Sequence, residues 1–184
     1  LSSLTTSGPL SPNLPAWKIR APLPAEELLE IYRASGKATG IGWEYLAAIN
    51  LVETRMGRIE GLSTAGATGP MQFLPSTWEE CCEGDPTVDR DAILGAATYL
   101  VDRGGPEDME RALRGYNNSG YYVAAVSAYA EVLRAEPTAY YGYHAWEVFF
   151  RSDAGLVRLP VGYYETEPVD ADEWIAANPH HLLS

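Results

Sequence analysis

A helical period dominates the hydrophobic pattern of the chain. Within residues 25–35, Leu28, Leu29, Ile31 and Tyr32 group together, Pro24 stands where a helix would start and Gly36 where it would stop. Proline and glycine favour those two ends for conformational reasons. Residues 41–56 place Ile41, Tyr45, Ala48, Ile49, Val52 and Met56 on a stripe at 3.6-residue spacing, with Gly57 next as a terminator. Ser76 and Glu79 match the capping box Ser-x-x-Glu, which predicts a short helix after Pro75 carrying Trp78, Cys81 and Cys82. Another helix is predicted from Asp91, with Ile93, Ala96, Ala97, Leu100 and Val101 on one face and Gly104-Gly105-Pro106 as its stop. Residues 107–113 and 121–133 supply two further helical patterns.

The period changes after Pro137. An aromatic run over residues 140–146 leads into Trp146-Glu147-Val148-Phe149-Phe150, then the polar turn Ser152-Asp153-Ala154-Gly155, then Leu156-Val157-Arg158-Leu159-Pro160-Val161. Two β-prone runs about such a turn predict a small hairpin, and Pro160 assigns its second strand to an edge. Residues 1–24 contain Pro9, Pro12, Pro15, Pro22 and Pro24 among Ser and Thr, and read as an extended arm or linker. The expected organisation is mainly α: an arm over 1–24, a helical domain over 25–136, and an aromatic hairpin extension over 137–184 packed on the same domain.

Composition supports one globular unit, since 184 residues with 46% hydrophobic content can bury a substantial core. The net charge of -12 is unevenly spread: residues 1–60 balance six acidic against six basic side chains, so the whole excess lies downstream. An acidic surface repels nucleic acid and anionic membranes, and neither is expected as a partner. No apolar stretch is long enough for a membrane span. The chain opens on Leu1 without a basic and apolar leader, as a mature or trimmed fragment would. Cys81 and Cys82 are adjacent, which excludes a conventional disulfide framework; without neighbouring His or Cys at ligand spacing they make no zinc site. Buried thiols are expected, with a vicinal disulfide or intermolecular pairing as the alternatives.

Glu53 is the residue with the clearest chemical potential. It follows Ala47-Ala48-Ile49-Asn50-Leu51-Val52 at the end of an apolar helix, bordering the buried stripe, and precedes a Gly-rich segment over residues 61–75. Desolvation penalises the ionised form of a carboxyl group and raises its pKa toward the range useful to a general acid. Gly61-x-x-x-x-Gly66 superficially fits a phosphate loop, yet Ala67-Thr68 occupies the positions that need Lys-Ser/Thr, so nucleotide binding is rejected.

Three ordered blocks extend this reading: Glu53-Thr54, then Ser63-x-x-Gly66-Ala67-x-Gly69-x-Met71-Gln72-x-x-Pro75, then Tyr116-Asn117. Together they resemble the signature of the lytic transglycosylases of the SLT type, relatives of the goose-type lysozymes. The resemblance implies a lysozyme-like helical fold with a groove for peptidoglycan glycan strands, an extracytoplasmic location, and no metal or organic cofactor. Glu53 would be the catalytic acid. Ser63 would lie beside it, Gln72 and Asn117 would hydrogen-bond sugar groups, Tyr116 would contact the carboxyl region and Met71 would shape the groove. The implied reaction cleaves the MurNAc-GlcNAc β-1,4 linkage and leaves 1,6-anhydro-MurNAc ends, with Glu53 acting as acid and then base. Thr54, Met56 and Pro70 depart from the usual Ser, aromatic and Leu of the pattern, and the third block reads Gly115-Tyr116-Asn117-Asn118-Ser119-Gly120 in place of Ala-Tyr-Asn-Ala-Gly.

Two alternatives accompany that expectation. A hydrolytic muramidase would need a second carboxylate, for which Glu60, Glu79 and Glu80 are the candidates. A catalytically weak glycan-binding wall module would keep the groove without the chemistry. Asp85, Asp89 and Asp91 lack the spacing of a calcium loop and are expected to cap helices or face water. His144 is expected to pack or bond locally, and Tyr121, Tyr122, Tyr140, Tyr141 and Tyr143 are divided between core positions and sugar-stacking platforms.

Overall fold

A computed structural model describes residues 9–61, 63 and 65–183. Its elements run β1 (Asn13–Leu14), β2 (Lys18–Ile19), α1 (Ala25–Thr39), α2 (Trp43–Thr54), β3 (Ile59–Glu60), α3 (Pro75–Cys81), α4 (Asp89–Asp102) and α5 (Met109–Tyr116). They continue with α6 (Gly120–Ala135), α7 (Ala139–His144), β4 (Val148–Ser152), β5 (Gly155–Leu159), β6 (Val169–Asp170), α8 (Ala171–Ala177) and β7 (Leu182–Leu183). The protein is mainly α, with small sheets β1-β6, β2-β3 and β4-β5-β7, each of which contributes to a second core. Among the described residues no helix is long and apolar enough to cross a membrane.

The centre of the helical core is α2, packed against α1, α4 and α6. Every residue from Leu46 to Val52 in it is buried, so it is covered on all sides, not along the single stripe that the periodicity suggested. The helix α1 passes straight through Gly36, which is buried where the chain turns into α2; a β-carbon there would stand 2.6 Å from the Ile41 carbonyl oxygen. Close packing, not helix termination, requires that glycine. The stop is Gly40, whose φ of 84° lets its N–H donate to the Gly36 carbonyl.

Other helix boundaries follow local chemistry. The predicted capping box does not form, because Leu74 is the N-cap of α3 and Ser76 already lies inside the first turn after Pro75. Helix α4 begins two residues ahead of Asp91, at Asp89, and ends before Gly104-Gly105-Pro106 as expected. The Asp108 side chain accepts from the Arg111 N–H at the start of α5, and Ser119 accepts from the Tyr122 N–H at the start of α6. Cys81 and Cys82 are joined to each other by a disulfide, so the expectation of buried thiols is corrected: both sulfurs sit at the half-exposed end of α3, within reach of each other.

The hairpin is where the sequence placed it, with Ser152 opposite Gly155 and Val148 opposite Leu159. Its second strand is not an edge, however. Strand β5 is the middle of a three-stranded sheet ordered β4-β5-β7, and Pro160 falls just past its end, where no ladder donor is needed.

The arm is likewise no linker in its described part. Strand β1 pairs with β6 near the C-terminus and β2 pairs with β3 just after α2. Leu14 and Ile19 are buried with Val148, Val157, Leu159, Tyr163 and Ala171 in a second, smaller core. Leu14, Trp17 and Ile19, large apolar side chains in a segment of nominal linker, are the signal that the proline count obscured. Residues 1–8 of the predicted arm lie outside the described residues.

Candidate active site

Glu53 is the penultimate residue of α2, and the chain leaves the helix through Arg55 and Met56 in left-handed conformations. That exit reverses the backbone toward β3 and leaves the Glu53 side chain on a cleft lined by Trp17, Thr54, Ile59, Gly61, Ser63 and Gln72. Burial raises the Glu53 pKa from an ordinary 4.5 to about 7; the facing Tyr122 hydroxyl opposes part of the rise. The position adds to the effect, because the C-terminal turn of a helix carries partial negative charge and disfavours a carboxylate. Although Tyr122 is close enough to act on the Glu53 carboxyl, its Oη does not meet full hydrogen-bond geometry with it and is a buried hydroxyl without a partner among the described residues. Tyr116 is also within electrostatic reach: burial first, then the Glu53 charge, pushes both phenols well above their usual pKa.

A buried polar network joins α2 to the Gly-rich loop. The Tyr32 hydroxyl donates to Asn50 Oδ1, and Asn50 Nδ2 donates to the Pro70 carbonyl at 2.8 Å. Thr54 Oγ1 donates to the same carbonyl at 2.6 Å and accepts from the Gly57 N–H at 3.1 Å. Pro70 thus loses a donor but supplies an acceptor used twice, by Asn50 Nδ2 and by Thr54 Oγ1. Asn50 is wholly buried in the apolar middle of the helix, between Ile49 and Leu51, and its hydrogen bonds make it a satisfied polar anchor.

From the other side, the Tyr116 hydroxyl donates to the Met71 carbonyl at 2.7 Å. The loop between these anchors is a tight turn closed by two backbone hydrogen bonds between Thr68 and Phe73. Gly69 sits in it at a φ of 77°, against the Pro86 carbonyl, and no β-carbon fits there: it would come within 1.8 Å of that oxygen. Gln72 leaves the turn at a φ of 55°, unusual for a side-chain-bearing residue, with Nε2 donating to the Gly69 carbonyl at 3.0 Å. Its side chain lines both the Glu53 cleft and a neighbouring depression walled by Phe73, Leu74, Thr77, Tyr99 and Tyr116. On the opposite side, Ile59 and Gly61 are shared with a pocket of about 350 Å³ that also includes Arg20, Glu60, Thr68 and Thr87.

The six residues expected at the site divide into two groups. Glu53, Ser63 and Gln72 line one cleft, and Tyr116 lines the depression next to it. Ser63 also braces the loop, its Oγ accepting from the Ala67 N–H at 2.9 Å. The Met71 side chain is 0% exposed, so it shapes the groove only from beneath, as core packing under the turn. Asn117 is an exposed C-cap of α5 and lines none of the three concavities. Of the proposed second carboxylates, Glu79 and Glu80 are exposed on α3 and line none of the three concavities. Glu60 faces the larger pocket with its oxygens 3.0 Å from Lys18 Nζ and 2.9 Å from Arg20 Nε. The Arg20 Nε contact is an ion pair by distance whose angle falls short of a hydrogen bond, so its strength is electrostatic.

Several side charges resolve into structure. Asp89 pairs with Arg20 at 3.0 Å, Asp85 accepts from the Thr87 N–H and hydroxyl, and Asp91 accepts from the Asp85 N–H. His144 Nε2 meets the Leu23 carbonyl at 2.9 Å, so its bond is structural but ties it to a segment 121 residues away, not to a local partner. Of the five tyrosines weighed as sugar platforms, Tyr122 and Tyr140 are buried and none lines the three concavities. Trp17, which comes from the arm and which sequence reasoning passed over, does. Comparison of the chain with protein-family models, with curated proteins and with solved structures finds no match.

Proposed function

We propose that the chain is a lysozyme-like lytic transglycosylase that cleaves the MurNAc-GlcNAc β-1,4 linkage of peptidoglycan outside the cytoplasm. The observation that carries this reading is a single protonatable carboxyl, Glu53, held near neutral pKa in a cleft whose other lining groups are Trp17, Thr54, Ile59, Gly61, Ser63 and Gln72. An acid that keeps its proton at neutral pH can deliver it to a glycosidic oxygen. As that proton is transferred, the bond from C1 of MurNAc to the leaving oxygen breaks and C1 becomes oxocarbenium-like. The Glu53 carboxylate then removes the C6 hydroxyl proton of the same sugar while O6 closes on C1. Glu53 ends protonated, the product is a 1,6-anhydro ring, and no water is consumed.

A hydrolytic route needs a second carboxylate about 5 to 9.5 Å from the acid to act as nucleophile or base. Among the described residues, Glu60 is the other acidic residue lining the three concavities, and its oxygens are already engaged by Lys18 and Arg20. An intramolecular hydroxyl suits a one-carboxylate cleft because its tethering replaces a positioned water.

Mass spectrometry of peptidoglycan digested by the protein tests the reading. Anhydro-ended muropeptides are expected, and exclusively reducing ends would overturn the transglycosylase assignment. Glu53→Gln is expected to slow release by roughly 10²- to 10⁴-fold, the usual worth of a general acid. Release at the parental rate would remove Glu53 from the mechanism.

A further inference from the structure

Trp17 lies on the cleft although it belongs to none of the motif blocks, and its position is fixed from several directions. Its N–H donates to the Pro15 carbonyl at 2.9 Å and its carbonyl accepts from the Glu165 N–H at 3.0 Å. The Tyr163 hydroxyl also donates to Pro15, at 2.6 Å. Immediately downstream, Lys18 and Ile19 pair with Glu60 and Ile59, which carries the arm along the edge of the cleft. The indole packs edge to face on Phe150, with ring centres 5.8 Å apart and planes at 88°. Gly61 runs against it so closely that a β-carbon there would stand 3.0 Å from Trp17 Cδ1. The N-terminal arm and the C-terminal extension therefore meet at the cleft and hold one aromatic ring there.

The composition of the cleft is amphipathic in a specific sense. Glu53, Thr54, Ser63 and Gln72 supply polar groups, while Trp17 and Ile59 supply apolar surface. A β-1,4-linked N-acetylhexosamine has the same division: its substituents lie around the ring equator and its faces are C–H. Such a face packs against an indole through apolar contact and through attraction of C–H dipoles to the electron-rich ring.

We propose that Trp17 is the sugar-stacking platform of this groove, holding a pyranose ring of the glycan strand beside Glu53. This rests on the reading of Glu53 as the glycan-cleaving acid. The ring brought by the arm fixes the rotation of the strand about its axis, and thereby which glycosidic oxygen meets the Glu53 proton. Trp17 is a substrate-binding residue; its loss acts on affinity before it acts on chemistry. The shared lining of Ile59 and Gly61 lets the strand continue from Trp17 into the 350 Å³ pocket formed by Arg20, Glu60, Thr68 and Thr87.

Calorimetric titration with soluble, uncrosslinked peptidoglycan glycan strands tests the proposal, using the full chain with Glu53→Gln to prevent cleavage. Adding Trp17→Ala is expected to weaken binding roughly tenfold, whereas Trp17→Phe keeps it within roughly threefold. In the cleaving background, Trp17→Ala raises KM by more than it lowers kcat. Binding by the Ala variant within twofold of its parent overturns the platform. Should Trp17→Ala fail to fold, the 5-fluorotryptophan resonance of Trp17, assigned through Trp17→Phe, decides: it moves on saturation with glycan, and an unmoved signal overturns the proposal. If the Glu53→Gln protein binds no strand and the parent releases no anhydro product, the reading of Glu53 fails first and this inference falls with it.

Discussion

Replacing Glu53 by Gln is expected to stabilise the protein increasingly as pH rises above about 4.5, and not below it. The native carboxyl holds its proton to about pH 7, whereas an unfolded glutamate releases it near 4.5. Between those values the native state binds more protons than the unfolded state, so stability falls as pH rises. Below pH 4.5 both states are protonated and no penalty exists; above pH 7 both are ionised and the penalty is complete. At about 1.4 kcal/mol per pH unit, the window corresponds to about 3 kcal/mol. Glutamine has nearly the same shape and never ionises, so its substitution removes that cost. Urea unfolding of both proteins at pH 4, 6 and 8.5 measures it: the variant should be near parity at pH 4 and more stable by up to about 3 kcal/mol at pH 8.5, or roughly 6 to 12 °C in Tm. A stability difference that stays flat across this range would refute the desolvated-acid argument. The same titration governs turnover, because a general acid must carry its proton, and activity is expected to decline as pH rises through about 7.

Tyr122→Phe removes the hydroxyl that opposes the rise of the Glu53 pKa, so the alkaline limb of the pH-rate profile should move to higher pH; a downward move would contradict this electrostatic role. Thr54→Val keeps the shape but leaves the Gly57 N–H without its acceptor and takes one donor from Pro70; a loss of about 1 to 3 kcal/mol is expected in urea unfolding. Gly69→Ala forces a β-carbon toward the Pro86 carbonyl and should displace the turn bearing Gln72, lowering both the melting temperature and glycan affinity; unchanged values of both would contradict the close packing.

The helical part of the fold was legible because long periodic segments report burial directly. The motif likewise brought Glu53, Ser63 and Gln72 to one cleft, with Tyr116 beside it. What escaped the sequence depends on contacts between distant segments. Strands of two residues, such as β1 and β2, have no period to detect, and their partners are Val169–Asp170 and Ile59–Glu60. Gly36 looks like a helix stop in one dimension and is a packing position in three. Met71 and Asn117 stand in the motif, yet burial of the first and the surface position of the second are set by α5 and the turn above it. Trp17 had no motif to mark it. Its place on the cleft depends on a ring packed on Phe150, distant by most of the chain.

The same geometry decides what tunes the acid. Arg55 and Arg58 follow Glu53 closely in sequence, and a cation beside the carboxyl would lower its pKa and weaken the case for a neutral-pH proton donor. Both are committed elsewhere. The Arg55 guanidinium lies 5.5 Å from the Trp146 ring centre, and Arg58 Nη2 donates to the His144 carbonyl at 2.7 Å. The left-handed turn at Arg55 and Met56 is what directs them away, since a continued helix would keep the side chains rotating around the same axis as Glu53. Lys18 and Arg20 enter the groove from the arm but meet Glu60, so their charge is offset before it reaches the cleft. Desolvation consequently sets the sign at Glu53. The turn that ends α2 thus has two consequences: it opens the cleft in front of the carboxyl and removes the cations that would have discharged its proton.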